Sequence, residues 1–189
     1  MSPSSSERAA AAAGDAFGLL GLRPRFDVEA SVLERAFFDR TKELHPDRFA
    51  TAPAAERVAA LSKARALNDA YQLLKREASR AEYLLAQEGV TIGDNERIDP
   101  ALVMELLEQR EELSLHRVSG NLAEVERLCE SMRRQRRTAL DQVKTLFQAA
   151  DDLSGDARRT RLAEIKRQLI LLRYVERYLE ECDSALDED

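Results

Sequence analysis

"ELHPDRFA", residues 43–50, interrupts a chain otherwise built to stay helical. A helix-forming run from Ser31 to Leu44 stops there, and helix-forming sequence resumes after Pro53. Proline has no N–H to donate and disfavours helix in the residue before it, so His45-Pro46 ends the run decisively. Asp47 then sits in a turn with its carboxylate free, suited to a bidentate arginine on another protein. Catalysis does not explain the tripeptide: there is no GxSxG motif, no suitable cysteine, and His116 is the only other histidine. One His and one Asp are too few ligands for a metal. No catalytic residue, metal or cofactor is therefore expected. A bare helix stop is the plain alternative, and the surroundings decide between the two.

Those surroundings are helical throughout. Hydrophobic residues make up 44% of the 189 residues and charged ones 34%, enough for a core and for solubility. Aromatics are only 5%, glycine and proline are scarce, and Ala, Leu, Glu and Arg dominate, as in helical bundles. Alternating β-branched segments and Asn-Gly turns are missing, so the expected fold is all-α. A formal net charge of −6 argues against nucleic acid as a main partner. No apolar run approaches the roughly 20 residues that span a bilayer, so no membrane partner is expected. Residues 1–14 read as a flexible tail without a signal-type hydrophobic segment. Cys129 and Cys182 form no CxxC pair, and each falls inside an expected helix. Buried reduced thiols and a reducing cytoplasm are the expectation.

Helix punctuation divides the chain. Short or amphipathic helices are expected over 15–20, 30–44, 54–75 and 79–87, giving a first domain at 15–88. Leu33, Ala36, Phe37 and Leu44 share one side of the second. Val58, Leu61, Ala64, Leu67, Tyr71 and Leu74 make the stripe of the third. "GVTIGDNERI", 89–98, reads as the linker. Residues 99–189 then hold three long helices, opened by Asp99 as N-cap with Pro100 behind it and broken at "SGN" and "SGD". Short turns between long helices imply an antiparallel three-helix bundle. On 121–150 one stripe runs from Leu122 through Val125, Leu128, Cys129 and Met132 to Leu146 and Phe147. The basic "RRQRR", 133–137, beside it reads as a solvated face, because no aromatics interleave it. Helix 100–118 carries two stripes, Leu102, Leu106 and Leu113 on one side and Val103, Met104, Leu107 and Val118 on another, with Glu108 and Glu111. On 157–182, Leu162, Ile165, Leu169, Leu172 and Leu179 form the core stripe, while Ile170, Leu171, Tyr174 and Tyr178 point elsewhere. A small bundle is not expected to bury both stripes of two helices. The tyrosine stripe is an even choice between the first domain and a partner; for Val103, Met104 and Leu107 an acid-fringed protein interface is favoured.

"DAFGLLGL" at 15–22, a helix, HPD, "RF" and a further helix resemble the J-domain in order and spacing. The resemblance implies a four-helix domain whose HPD loop docks on a DnaK-type heat-shock chaperone and promotes its ATP hydrolysis. Carried over, the chaperone-binding residues are His45, Pro46 and Asp47, with Lys42 and Arg48. Arg40 departs from the family, standing where an aliphatic residue is usual, and would snorkel out to the basic surface or weaken the helix pairing. There is no Gly/Phe-rich linker and no CxxCxGxG repeat. Instead "RAEYLL", 80–85, and "DPALVMELLEQREEL", 99–113, resemble HscB, a co-chaperone of iron–sulfur cluster assembly. That resemblance implies a C-terminal bundle that captures the scaffold protein IscU for the chaperone HscA. Val103, Met104, Leu107, Glu108, Arg110 and Glu111 would bind the scaffold, with Leu171 beside them where the family often has an aromatic residue. The alternative is a J-domain protein whose helical arm serves structure or oligomerisation, or binds a different client.

Overall fold

The computed structural model describes residues 15–93, 96 and 100–187. The expected tail at 1–14 and the Asp99 cap lie outside the described residues. The described helices are α1 (Ala16–Leu20), α2 (Ala30–Glu43), α3 (Ala54–Lys75), α4 (Glu77–Gln87), α5 (Pro100–Val118), α6 (Leu122–Asp151) and α7 (Gly155–Asp187), with a 3₁₀ turn at Pro46–Phe49 between α2 and α3. No strand occurs among the described residues. The chain divides between Thr91 and Ile92 into two compact units.

In the first unit α1, α2 and α4 pack on α3. Phe17, Leu20, Leu33, Leu67, Leu74 and Leu85 are buried, and Phe37 stacks on Tyr71 with ring centroids 4.2 Å apart. "RAEYLL" proves to be internal scaffolding. Arg80 is buried, donates from Nη1 to the Leu74 carbonyl at 2.8 Å and lies over the Phe26 ring. Burial holds its pKa below the ordinary arginine value, against the pull of Glu77 and Asp27. The Tyr83 hydroxyl accepts from the Ala16 N–H at 3.0 Å, satisfying one of the orphan donors at the start of α1.

One expectation about this unit needs correction, and one is resolved. Val58 and Leu61 are 63% and 60% exposed, and Ala60 is buried in their place. At 100° per residue, Leu61 lies about 120° and Val58 about 180° from Leu67, so neither belongs to the stripe that Ala60, Leu67, Tyr71 and Leu74 form. Of the two courses open to Arg40, its side chain takes the first and reaches the surface. Its guanidinium passes over Gly21, where an added Cβ would stand 3.0 Å from Nη2, and its Nη1 meets Glu43 at 3.2 Å. Gly21 has φ of 69°, a left-handed conformation that ends α1 and strains any side chain placed there.

In the second unit α6 and α7 form a long antiparallel hairpin, and α5 lies along the end where α6 begins and α7 finishes. There Leu113 meets Val125, Leu128, Cys129 and Met132 of α6 and Val175, Tyr178 and Cys182 of α7. Tyr178 and Ile170, expected to point away from the bundle, are 2% and 5% exposed. The reason is geometric: α7 faces α6 with one flank and α5 with another, so a bundle of three helices can bury a second stripe on one of them. Tyr174 and Ile170 line a small cleft with Ile92, Gly93, Glu96, Arg173 and Arg177. Arg173 donates to the Gly93 carbonyl and Lys166 meets Glu96 at 2.6 Å, so Gly93 and Glu96 of the expected linker are held on α7. Leu122, assigned to the core stripe of α6, is 44% exposed because it is the first residue after the Asn121 cap, before the helix is covered. The four arginines of "RRQRR" reach acids of α6 and α7: Arg133 with Asp183, Arg134 and Arg137 with Glu130, and Arg136 with Glu176.

The reduced thiols are the clearest correction. Cys129 and Cys182 are joined as a disulfide, their Cα atoms 5.7 Å apart, and both are fully buried. They lie at nearly equal chain distances from the Ser154–Gly155 turn, so the antiparallel hairpin brings them opposite one another. The free-thiol argument for a reducing cytoplasm therefore falls away. Crosslinking over a separation of 53 residues stabilises by about 4 kcal/mol in the chain-entropy picture. Alkylation in denaturant without reductant is expected to label neither cysteine, and reduction to lower the melting temperature. Two labelled thiols in unreduced protein would contradict the bond.

Candidate functional site

Two surfaces collect the residues singled out by the sequence. The first is the corner after α2. His45 caps the 3₁₀ turn, its Nδ1 accepting a long hydrogen bond from the Asp47 N–H at 3.4 Å and standing 3.5 Å from Asp47 Oδ2. The Asp47 side chain is otherwise in water, 91% exposed. The corner thus presents a carboxylate on a stiff backbone, with one imidazole as its near neighbour. The basic surface around it is thinner than the sequence suggested. Arg40 is paired with Glu43, and Lys42 reaches Asp39 at 3.7 Å while its ammonium lies over the Phe38 ring at 4.1 Å. Such exposed pairs are worth little and exchange readily for a partner's charges. Arg48 is exposed beside Asp47.

The second surface is the outer side of α5. Leu106 and Leu113 are buried against the hairpin. Met104 and Leu107, on the far side, are 57% and 47% exposed, Val103 is half-buried between the two sides, and Glu108 and Glu111 are exposed. Arg110 donates from Nε to Glu181 of α7 at 3.0 Å and from Nη2 to the same carboxylate, a fork that straps α5 to α7. Leu171 is half-buried and packed against the core cluster, so its side chain divides between bundle and surface. The sequence expectation for Val103, Met104, Leu107, Glu108 and Glu111 thus meets one continuous accessible face. What the sequence did not pick out is Leu115, 68% exposed on the same side. Its angle on the helical wheel was the available signal.

No group of three or more His, Cys, Asp or Glu suited to a metal exists among the described residues. None of their helices is long and apolar enough to cross a membrane.

Residues 98–183 match a family model described as the HSCB C-terminal oligomerisation domain. The chain is 48% identical over 99 residues to a co-chaperone protein HscB homolog of Vibrio vulnificus and 46% identical over 99 residues to one of Vibrio campbellii, about half of this chain in each case. It spans 58% of the length of these curated relatives. Among solved structures, the chaperone HscB from Vibrio cholerae superposes with a TM-score of 0.78 at 28% identity, covering 92% of this chain and 98% of that one. The human co-chaperone protein HscB gives 0.76 at 22% identity over 89% and 80% of the two chains, a likeness of fold.

The seating of α5 rests partly on Tyr178, whose hydroxyl donates to the Gln109 carbonyl of α5 at 3.2 Å. Burial, with Glu112 and Glu181 adding to it, pushes the phenol up to about 12. A folded pKa above the unfolded value means that this contribution is complete below about pH 10 and lost as the pH climbs towards about 12. Tyr178→Phe is expected to cost about 1 kcal/mol at neutral pH through the missing hydrogen bond. It should also flatten the alkaline fall in stability over that window. Melts at stepped pH check this; equal alkaline losses in both proteins would contradict it.

Proposed function

We propose that this chain is a member of the HscB family and a non-enzymatic co-chaperone with two grips. The corner of His45, Pro46 and Asp47, flanked by Lys42, Arg48 and Arg40, engages a DnaK-type chaperone, HscA or DnaK, and stimulates its ATP hydrolysis. The outer face of α5, with Val103, Met104, Leu107, Glu108, Arg110 and Glu111 and with Leu171 at its margin, holds an IscU-type iron–sulfur scaffold and delivers it to that chaperone. The work belongs to iron–sulfur cluster assembly in the cytoplasm.

One observation carries the reading: α5 buries Leu106 and Leu113 yet leaves Met104 and Leu107 in water. Exposed apolar side chains beside unburied glutamates contribute nothing to the fold that would keep them, but they suit the apolar centre and polar rim of a protein interface. At the other grip, a neutral amide in place of the Asp47 carboxylate could not form a charged fork with a chaperone arginine.

Asp47→Asn is expected to abolish ATPase stimulation in a steady-state assay while scaffold binding stays intact. Undiminished stimulation would remove the corner from the mechanism. Met104→Ala with Leu107→Ala should weaken scaffold binding at least ten-fold by calorimetric titration, with an unchanged melting temperature. Leu113→Ala provides the contrast, because truncating a buried leucine costs about 2–5 kcal/mol of stability. Loss of stability in the outer-face variant would show those side chains to be core.

A further inference from the structure

The disulfide lies where α5 meets the hairpin. Cys129 and Cys182 are fully buried in the same cluster as Leu113 of α5, with Val125, Leu128 and Met132 of α6 and Val175 and Tyr178 of α7. Leu113 thus shares its buried environment with a bond that fixes the spacing of α6 and α7. Bonded sulfurs stand about 2 Å apart. Two free thiols need more room, and a core packed to native density gives it only by moving its walls. Those walls are the ends of α6 and α7 on which α5 rests. Farther along, the hairpin has a core of its own: Leu140 and Val143 of α6 and Leu162, Ile165 and Leu169 of α7 are buried. Opening at the bond therefore reaches α5 without undoing the hairpin.

The end of α7 gives a route to the buried bond. Cys182 is in the last turn but one of a helix that ends at Asp187. Past it, α7 is tied to its neighbours by half-buried Leu186 and by the exposed pair of Asp183 with Arg133 at 3.2 Å. Exposed pairs contribute little, and helix ends are among the first parts of a fold to open locally. Lifting that end uncovers the Cys182 sulfur.

We propose that Cys129 and Cys182 form a redox latch on α5. Oxidised, the pair holds α6 and α7 at the spacing that seats α5; reduced by a dithiol, it frees α5 and the last turns of α7 together. A thiolate of the reductant attacks Cys182 Sγ, the bond to Cys129 Sγ breaks, and Cys129 leaves as a thiolate. The reductant's second thiolate then attacks the mixed disulfide, closes a disulfide of its own and releases Cys182. Two electrons pass from the reductant to the two cysteines, which take up the two protons its thiols gave up. A disulfide in a compartment that keeps thiols reduced is transient or redox-sensing, so a latch suits the cytoplasmic setting proposed above better than a permanent staple does. The latch does not depend on the scaffold reading of α5. Under that reading, the reduced chain presents a loosened outer face that binding would have to order again.

Amide hydrogen exchange read by mass spectrometry tests the latch on the full chain, before and after dithiothreitol without denaturant, and on Cys182→Ala under both conditions. Reduction is expected to speed exchange about ten-fold over α5 and the end of α7, to leave residues 139–172 unchanged, and to reverse on reoxidation with diamide. Cys182→Ala should behave as the reduced chain with or without dithiothreitol. A bond that dithiothreitol reduces only in denaturant, or α5 exchange unchanged by reduction, overturns the latch. Equal acceleration throughout the second unit also overturns it, by making the bond a staple of the whole bundle. Titration of a purified IscU-type scaffold protein into both forms reads the consequence: about ten-fold weaker binding to the reduced chain is expected, and equal affinity overturns the regulatory role. Binding by neither form sinks the scaffold reading, while the exchange result alone decides the latch.

Discussion

A helix packed against a two-helix hairpin can hide only the side that faces it, and most of the second unit's character follows from how α5 obeys that limit. Leu106 and Leu113 take the buried side, with Tyr178 donating to the Gln109 carbonyl and the Arg110 fork on Glu181 fixing the rotation. Rotating α5 by a third of a turn would bury Leu107 and Val118, but it would draw Leu106 and Leu113 into water and break both polar ties. The apolar outer side is thus a consequence of a well-determined seat, not of a loosely packed helix. A strapped helix also suits recognition, since little conformational entropy is left to lose on binding.

The corner after α2 follows a similar logic by different means. Proline ends the helix, the 3₁₀ turn resumes it at a new angle, and His45 closes the turn by accepting from the Asp47 N–H. The result is a carboxylate held in water by backbone geometry. Its flanking cations are paired with acids one turn away on the same helix, Arg40 with Glu43 and Lys42 with Asp39. Engagement with a chaperone would have to compete with these pairs, which are cheap to break. Asp47, paired with no lysine or arginine among the described residues, has the least to give up.

Much of this was legible in the residues. Proline chemistry alone located the corner, and the caps and glycines located the breaks at 119–121 and 154–156. Helical angle separated the two sides of α5. The failures share a cause: they needed a partner helix to be placed first. Val58 and Leu61 follow a spacing of three that drifts off the face shared by Leu67 and Tyr71, and apolar identity concealed the drift. Tyr178 was set aside because one stripe seemed enough for α7, whereas α5 supplies a second neighbour. Cys129 and Cys182 carry no motif, and only their symmetric distance from the Ser154–Gly155 turn could have paired them. Arg40 looked misplaced until Gly21, with its left-handed backbone and missing Cβ, proved to leave room for it. "RAEYLL" pointed to a family, yet its Arg80 and Tyr83 hold helix ends together and take no place at either surface.

Methyl-detected NMR of the labelled chain with unlabelled scaffold protein looks directly at which side of α5 is covered. Intermolecular contacts and large shifts are expected at the methyls of Met104 and Leu107, while Leu106 and Leu113 stay as in the free chain. Shifts confined to other helices, or spread equally over both sides of α5 as they would be if it unseated, would contradict an interface built on the outer face.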